Sequence, residues 1–244
     1  MTGQFQPATP PRVTRPREHE MLAEHRWALV ASLVLYLAVG ALFVLMAFPS
    51  GERYVQSVDD WWYDSIDVIR VGAVTALAHV LNVLGSTWVT VPIRVVTAGW
   101  LARIGRIEAL TTWILTIVAS EAMIWILKTA YRRERPPDGL VETTSFSFPS
   151  GHAIAGTVTA IALVIVLVPA GRRRRRWEII AGLFAFTMGM SRVYLNAHWL
   201  SDVVAGTVLA AAFAIGIAAL VHEVGDAAHR RRVERDLEEV DGSK

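Results

Sequence analysis

The sequence contains no cysteine and is poor in charged residues. None of its 244 residues is Cys, and only 19% are Asp, Glu, Lys or Arg, against about 25% in a typical soluble domain. The missing thiols exclude a disulfide framework, a thiolate metal site and a cysteine nucleophile. The 24 basic and 22 acidic residues nearly cancel. Because the basic residues form short runs and do not cover one face, the sequence argues against a nucleic-acid partner.

Long apolar runs occupy most of the chain, in which 53% of residues are hydrophobic. This composition excludes disorder for most of the sequence. A helix needs about 20 apolar residues to cross the hydrocarbon core of a bilayer. Five runs reach or approach that length: 27–48, 109–127, 153–170, 177–191 and 203–221. We interpret each of them as a transmembrane helix.

A sixth apolar stretch, residues 71–102, is interrupted by His79, Pro92 and Arg94. One interpretation places a span at about 71–93, ending at Arg94. The other places it at about 84–103 and lays residues 60–82 on the membrane surface. An arginine in mid-membrane costs roughly 2.5 to 3.5 kcal/mol on insertion scales, which favours the first interpretation. Since either version crosses once, the sequence predicts an all-α, polytopic membrane protein with a six-transmembrane-helix bundle.

The distribution of Lys and Arg predicts the orientation, because these residues favour cytoplasmic loops. With six spans, four basic segments fall on one side: the leader, the 103–106 turn, the run from Arg172 to Arg176 and the segment 230–235. The first loop on the other side, residues 49–67, carries five acids and one arginine. We therefore expect both termini to be cytoplasmic, and we interpret the Arg172–Arg176 run as a topology anchor.

Three regions follow from this layout. Residues 1–26 contain several prolines and little apolar material, which predicts a disordered cytoplasmic leader. Residues 27–222 form the predicted six-span domain. Residues 223–244 mix acids and arginines and are predicted to form a solvated, helical cytoplasmic tail. The expected location is the plasma membrane, crossed several times.

Several cations violate the charge bias, because they fall on the extracytoplasmic side. Four lie in the loop 128–150, and a fifth ends the fifth span: Lys128, Arg132, Arg133, Arg135 and Arg192. We interpret Arg132 and Arg133 as partners of Glu134 or of lipid phosphates. Lys128, Arg135 and Arg192 need another reason for their position, and an anionic ligand supplies one.

The same helix ends carry residues suited to phosphate chemistry. Catalysis on a phosphate ester depends mostly on positioning and charge stabilisation. Lys128, Arg135 and Arg192 offer three cations for the phosphate oxygens, and arginine matches phosphate with forked donors. Ser150 and Gly151 precede a predicted helix, where free backbone N–H groups favour anions. These five residues predict a phosphate-binding site.

Two histidines and an aspartate complete the predicted chemistry. His198 and Asp202 are spaced i, i+4 and share a helix face. The carboxylate can fix the imidazole tautomer, as in a catalytic triad, which leaves the other ring nitrogen to attack phosphorus. His152 can protonate the leaving group. Together with the cations, these groups suit a metal-independent phosphohistidine mechanism.

Three spaced motifs carry a family resemblance. Residues 128–136 read Lys-x6-Arg-Pro, residues 149–152 read Pro-Ser-Gly-His, and residues 191–202 read Ser-Arg-x5-His-x3-Asp. In this order they resemble the type 2 phosphatidic acid phosphatase superfamily of membrane lipid phosphatases, and every motif position matches. Together the motifs are highly specific, although each alone is weak.

The resemblance implies a role for each motif residue. His198 would be the nucleophile, Asp202 would orient and support it, and His152 would be the general acid. The remaining motif residues would hold the phosphate: Lys128, Arg135, Ser150, Gly151 and Arg192. The implied protein is a six-span bundle with an outward-facing site, a lipid phosphate as substrate, and neither metal nor cofactor.

The physiological lipid stays open, because no residue in the sequence visibly recognises the lipid body. We favour undecaprenyl or another polyprenyl diphosphate, followed by phosphatidic acid or phosphatidylglycerol phosphate. Vanadate-dependent halide oxidation shares these residues by resemblance, but the membrane spans argue against it. A non-catalytic lipid-phosphate binder or transporter is the alternative function, although binding alone would need only the cations.

Three other polar residues lie within the apolar runs. Glu121, in the third span, is interpreted either as a buried hydrogen-bonded acid or as an element of a polar pathway. His79 and Asn82 are interpreted as packing or interfacial residues, and the aromatic cluster 61–63 as part of an interfacial belt.

Overall fold

The computed structural model describes residues 25–241, and within that range every regular element is a helix. The eight helices are α1 (His25–Met46), α2 (Pro49–Val68), α3 (Gly72–Leu84), α4 (Thr87–Arg103), α5 (Ile107–Tyr131), α6 (Gly151–Leu167), α7 (Arg172–Tyr194) and α8 (Leu200–Asp241). The predicted disordered leader lies outside the described residues, except that residues 25 and 26 already belong to α1. The predicted helical tail is the continuation of α8 to Asp241.

The helices confirm a polytopic membrane protein. Of the described helices, α1, α5 and α8 are long and apolar enough to cross a bilayer alone, and α3 and α4 pass the same test as one span bent by 46°. Helix α6 is apolar but only 17 residues long. Helix α7 begins with the run of five arginines. The count of six spans includes α6 and α7. These two helices are counted because they pack inside the bundle beside the helices that pass the test.

Helices α6 and α8 form the centre of the bundle and pack against α1, α5 and α7. The core of α8 is built from alanines, and Ala210, Ala214 and Ala218 are fully buried. Such small residues let helix backbones approach closely in membranes. Large apolar side chains elsewhere point outward, among them Val95 on α4 and Val118 on α5, as expected of a surface in contact with lipid.

The acidic segment predicted as an outer loop is a helix, α2. Its first turn carries Pro49, whose fixed φ suits a helix start. Asp59, near its middle, is only 1% exposed, so this acid belongs to the interior and not to a solvated loop. Trp61 is 63% exposed and stacks edge-on against Trp62, which fits the interfacial position expected for these aromatic residues.

The prediction that the second span ends at Arg94 is wrong. Helix α4 runs past this residue to Arg103, and Arg94 is buried, with 7% of its surface exposed. Its Nη1 lies 2.6 Å from Oε1 of Glu121 on α5, and its Nε donates to Thr159 Oγ1 on α6 at 3.0 Å. The insertion cost that favoured ending the span here is offset because the charge has partners inside the bundle.

The chain breaks instead at Gly85 and Ser86, between α3 and α4. A Cβ atom on Gly85 would lie 2.8 Å from Met188 Sδ and 3.1 Å from His152 Cδ2. Only glycine permits this approach without a shift of its neighbours. The break therefore places the start of α4 against one of the two motif histidines.

Candidate active site

The structure brings all eight predicted site residues together where the end of α5, the start of α6, the end of α7 and the start of α8 meet. Lys128 and Arg135 both donate to the Phe146 carbonyl, and Arg135 reaches His198. The charges of Lys128, Arg135 and Arg192 all act on His152. The Ser150 N–H donates to the Asp202 carbonyl at 3.1 Å. Gly151 adjoins the Lys128 side chain, whose Cε would lie 4.0 Å from an added Cβ.

The connection between α7 and α8 holds His198 in one orientation. The Arg192 carbonyl accepts hydrogen bonds from the backbone N–H groups of Ala197, at 3.0 Å, and His198, at 3.3 Å. The ring is 3% exposed, and its Nε2 lies 3.1 Å from Arg135 Nη1. Because a guanidinium can only donate, Nε2 is the acceptor and Nδ1 carries the proton.

Burial also determines the charge of this ring. Removal from water lowers the pKa of His198 to about 3, and the positive charges of Arg135 and Arg192 act in the same direction, against the opposing effect of Asp202. The imidazole is therefore neutral at neutral pH. A neutral ring with its Nε2 lone pair directed at a cationic site is the form that can attack an electrophilic phosphorus.

Asp202 supports the ring from the Nδ1 side. Its Oδ2 lies 3.6 Å from His198 Nδ1, which is longer than a hydrogen bond, so the carboxylate acts on the ring mainly through its charge. Ser147 lies between them, donating to Asp202 Oδ2 at 2.5 Å with its Oγ 3.4 Å from Nδ1. The Trp199 N–H, at the start of α8, also donates to Oδ2, at 2.9 Å.

Arg133 and Asp59 extend this network, and sequence reasoning missed both. The sequence predicts that Arg133 pairs with Glu134 or with lipid phosphates, and for Arg133 this prediction is wrong. Its Nη1 donates to Asp202 Oδ1 at 2.7 Å and its Nη2 to Asp59 Oδ2 at 2.6 Å. Asp59 also accepts hydrogen bonds from the backbone N–H and the hydroxyl of Ser201. The only sequence signal was a basic residue on the wrong side of the membrane.

Three of the five phosphate-binding candidates are cations, and the salt bridges around them show how their charges are balanced. Within the part of the chain that the structure describes, no carboxylate forms a salt bridge with Lys128, Arg135 or Arg192. The Arg192 guanidinium is held by Asn82, so Asn82 is not merely a packing residue. The Arg192 Nε is buried and finds no hydrogen-bond partner among the described residues. A buried cation without a partner is costly, and a bound anion would remove that cost.

Ser150 caps the first turn of α6. Its Oγ accepts from the Ala153 N–H at 3.4 Å, which leaves the N–H groups of Gly151 and His152 at the positive end of the helix dipole. Helix α8 approaches this turn closely through Gly206, where an added Cβ would lie 3.1 Å from the Ser150 carbonyl oxygen. The arrangement can therefore supply backbone donors, three cations, an oriented nucleophile and a second histidine to one phosphate group.

Comparison with known proteins decides the family. Residues 109–226 match the model of the PAP2 superfamily, and this match contains all three motifs. The predicted resemblance to the PAP2 superfamily is thus confirmed over residues 109–226. A relative from Bacillus subtilis, named phosphatidylglycerophosphatase B, is 29% identical over 174 residues, which cover 67% of this chain and 83% of the relative. This PAP2 protein is thus a phosphatase of membrane lipids, and the predicted class of enzyme is confirmed.

Other relatives agree with this assignment. A crystal structure of a transmembrane PAP2-type phosphatidylglycerolphosphate phosphatase from Bacillus subtilis superposes with a TM-score of 0.64 at 25% identity, covering 81% of this chain and 96% of that chain. An undecaprenyl-diphosphatase from Sulfolobus acidocaldarius is 36% identical over 67 residues, which cover 27% of this chain and 29% of that relative. The confirmed fold is that of an all-helical PAP2 membrane phosphatase.

Proposed function

We propose that this PAP2 protein hydrolyses a lipid phosphate at the extracytoplasmic membrane face through a phosphohistidine formed on His198. The observation that carries the proposal is the position of His198 Nε2, an acceptor 3.1 Å from Arg135 Nη1. It lies in a cluster of cations with which no carboxylate of residues 25–241 forms a salt bridge. A phosphate bound by Lys128, Arg135 and Arg192 would present its phosphorus to this nitrogen.

Two steps complete the proposed reaction. In the first, His198 Nε2 bonds to phosphorus while the bond from phosphorus to the lipid oxygen breaks, and His152 donates the proton that the departing oxygen takes up. In the second, water attacks the phosphohistidine, His152 takes a proton from that water, and the P–N bond breaks to release inorganic phosphate. Asp202 stabilises the positive ring formed between the steps. His152 thus serves as general acid in the first step and as general base in the second.

A groove between α4, α5 and α6 leads away from this site and supports a lipid as the substrate. Its volume is about 500 Å³, and it is lined by Gly151 and His152 at one end and by Trp113 and Ala98 at the other. Most of its remaining lining is apolar. We define these walls as the lipid groove, because a hydrocarbon chain attached to a phosphate in the site would find an apolar surface there.

The extracytoplasmic position of the site rests on the charge distribution. Helix α7 begins with five arginines and carries Arg192 in its last turn, at the site, so the site lies at the end opposite the basic anchor. Because arginine runs favour the cytoplasm, this polarity supports an outward-facing site and cytoplasmic termini. An outward site suits hydrolysis of lipid phosphates exposed on that leaflet.

A phosphate-release assay tests the proposal. The purified full chain in detergent is given phosphatidic acid, phosphatidylglycerol phosphate, undecaprenyl diphosphate and the soluble ester p-nitrophenyl phosphate, each in excess EDTA. We expect inorganic phosphate from at least one lipid, undiminished by EDTA, because the proposed reaction uses only protein groups. Folded protein that releases no phosphate from any of the four would overturn the proposed hydrolysis and favour the binding or transport function. Release that stops when EDTA is added would instead overturn only the metal-independent mechanism.

A further inference from the structure

The lipid groove contains one charged pair, Arg94 and Glu121, although most of its remaining lining is apolar. The Arg94 guanidinium donates to Glu121 Oε1 at 2.6 Å, to Thr159 Oγ1 at 3.0 Å and to the Ala155 carbonyl at 3.3 Å. These bonds use three of the five N–H donors of an arginine. Residues from α4, α5 and α6 thus form one polar cluster in the groove wall.

The pair lies a short distance below the phosphate site. Ala155 follows His152 by three residues on α6, a rise of about 4.5 Å. Glu121 precedes Lys128 by seven residues on α5, a rise of about 10 Å. The pair is therefore placed between one and two helical turns deeper than the groups that would hold the phosphate. At that depth it would meet the first atoms of the substrate beyond its phosphate ester.

The two partners differ in exposure, and the difference points to a ligand. The Arg94 side chain is 8% exposed, whereas the Glu121 side chain is 52% exposed and lines the groove. A charge at this depth is costly, and a purely structural contact between helices would be served as well by apolar side chains. A groove that bound only hydrocarbon would gain nothing from an exposed carboxylate in its wall.

We propose that Arg94 and Glu121 recognise neutral oxygen atoms next to the substrate's phosphate ester, and so select glycerol-based lipid phosphates over polyprenyl diphosphates. This inference rests on the proposed function. The glycerol carbons of phosphatidic acid carry ester oxygens, which accept hydrogen bonds from the guanidinium. Those of phosphatidylglycerol phosphate carry a hydroxyl, which can donate to the carboxylate.

Polyprenyl diphosphate lacks such groups at this depth. If its terminal phosphate occupies the site, its second phosphate comes next, followed only by hydrocarbon. The exposed Glu121 carboxylate repels that second anion, and the prenyl carbons offer no hydrogen bond to either polar side chain. The pair therefore shifts the proposed substrate from the polyprenyl diphosphate favoured by the sequence to a glycerol-based lipid phosphate. The sequence alone did not show that Arg94 and Glu121 line the same groove.

The test compares substrates that differ only beyond the phosphate. We would measure kcat/KM of the full-length protein in detergent for phosphatidic acid, for an alkyl monophosphate of matched chain length, and for undecaprenyl diphosphate. The p-nitrophenyl phosphate rate of each preparation measures its content of active sites. We expect wild-type protein to prefer phosphatidic acid over both other lipids by at least about tenfold, the equivalent of 1.4 kcal/mol.

A variant of Glu121 tests whether the preference for phosphatidic acid depends on the pair of Arg94 and Glu121. Glu121→Gln keeps the shape of the side chain and removes its charge, and we expect it to reduce the preference for phosphatidic acid over undecaprenyl diphosphate by about tenfold. Glu178→Gln is the matched control, since Glu178 also pairs with a buried arginine, Arg174, and has the same 52% exposure. Because Glu178 lies outside the groove, its replacement should leave the preference unchanged.

The outcomes separate the two proposals. Equal kcat/KM values for the three lipids in wild-type protein, or parallel losses on all three in Glu121→Gln, would overturn the role of the pair while leaving the phosphatase mechanism intact. The wild-type comparison decides the matter even if Glu121→Gln fails to fold. No hydrolysis of any ester, including p-nitrophenyl phosphate, would instead overturn the proposed function.

Discussion

Replacing His198 with alanine should abolish phosphate release from every substrate while the protein still binds a phosphate analogue. The variant removes the side chain that attacks the substrate in the proposed mechanism, and loss of such a group lowers kcat by at least about 10⁴-fold in enzymes of comparable design. Lys128, Arg135 and Arg192 remain in place, so the anion site persists. The measurements are phosphate release and calorimetric binding of sulfate, a tetrahedral anion that forms no bond to the nucleophile.

His79→Ala is the control for this variant, because His79 is an exposed histidine on α3 outside the cluster. It should retain wild-type turnover. If His198→Ala turns over at more than a few per cent of the wild-type rate, another group is the nucleophile. If it neither turns over nor binds sulfate, His198 belongs to the anion site and the division of roles is wrong.

Removal of Arg133 should have the largest effect on stability. The Asp59 and Asp202 side chains that it bridges are 1% and 0% exposed. Arg133→Met would leave two carboxylates buried without their cation, and breaking a buried ion pair in this way costs about 3 to 5 kcal/mol. We expect Tm in detergent to fall by about 10 °C. Activity should also be lost, since a carboxylate that takes up a proton no longer stabilises the His198 imidazolium.

The neighbouring Arg132 provides the matched control. Arg132 is exposed, and its side chain donates through Nε to the Thr129 carbonyl at the end of its own helix. Arg132→Met should change the free energy of unfolding by no more than about 0.5 kcal/mol and leave turnover intact. Equal Tm and equal activity in the two methionine variants would show that the network with Asp59 does not support the site.

The motif residues could be predicted from sequence because their signals are local. His198 and Asp202 are recognised by their i, i+4 spacing, and Ser150 and Gly151 by their place at the start of a predicted helix. Lys128 and Arg192 each follow directly after an apolar run. A six-span layout then places these helix ends on one side, so the cluster follows from topology and charge. The predicted all-helical fold and its membrane location needed only the lengths of the apolar runs.

The supporting residues could not be predicted, because they pair across long stretches of sequence. Arg133 meets Asp59 from 74 residues away, and Ser147 meets Asp202 from 55 residues away. No periodicity or spacing encodes such contacts. The same reason explains the error in the second span: the cost of Arg94 was judged for an isolated helix, whereas Glu121, 27 residues later, supplies its partner.

The central claim is that phosphate is transferred to His198, and trapping the intermediate tests it most directly. The enzyme would be mixed with phosphatidic acid carrying a ³²P-labelled phosphate, quenched in alkali within milliseconds, and mapped by mass spectrometry of its peptides. We predict label on the peptide containing His198 that is stable in base and lost in acid, as expected of a phosphoramidate, and no label in His198→Ala. Turnover without any labelled peptide, or label on another residue, would contradict the mechanism.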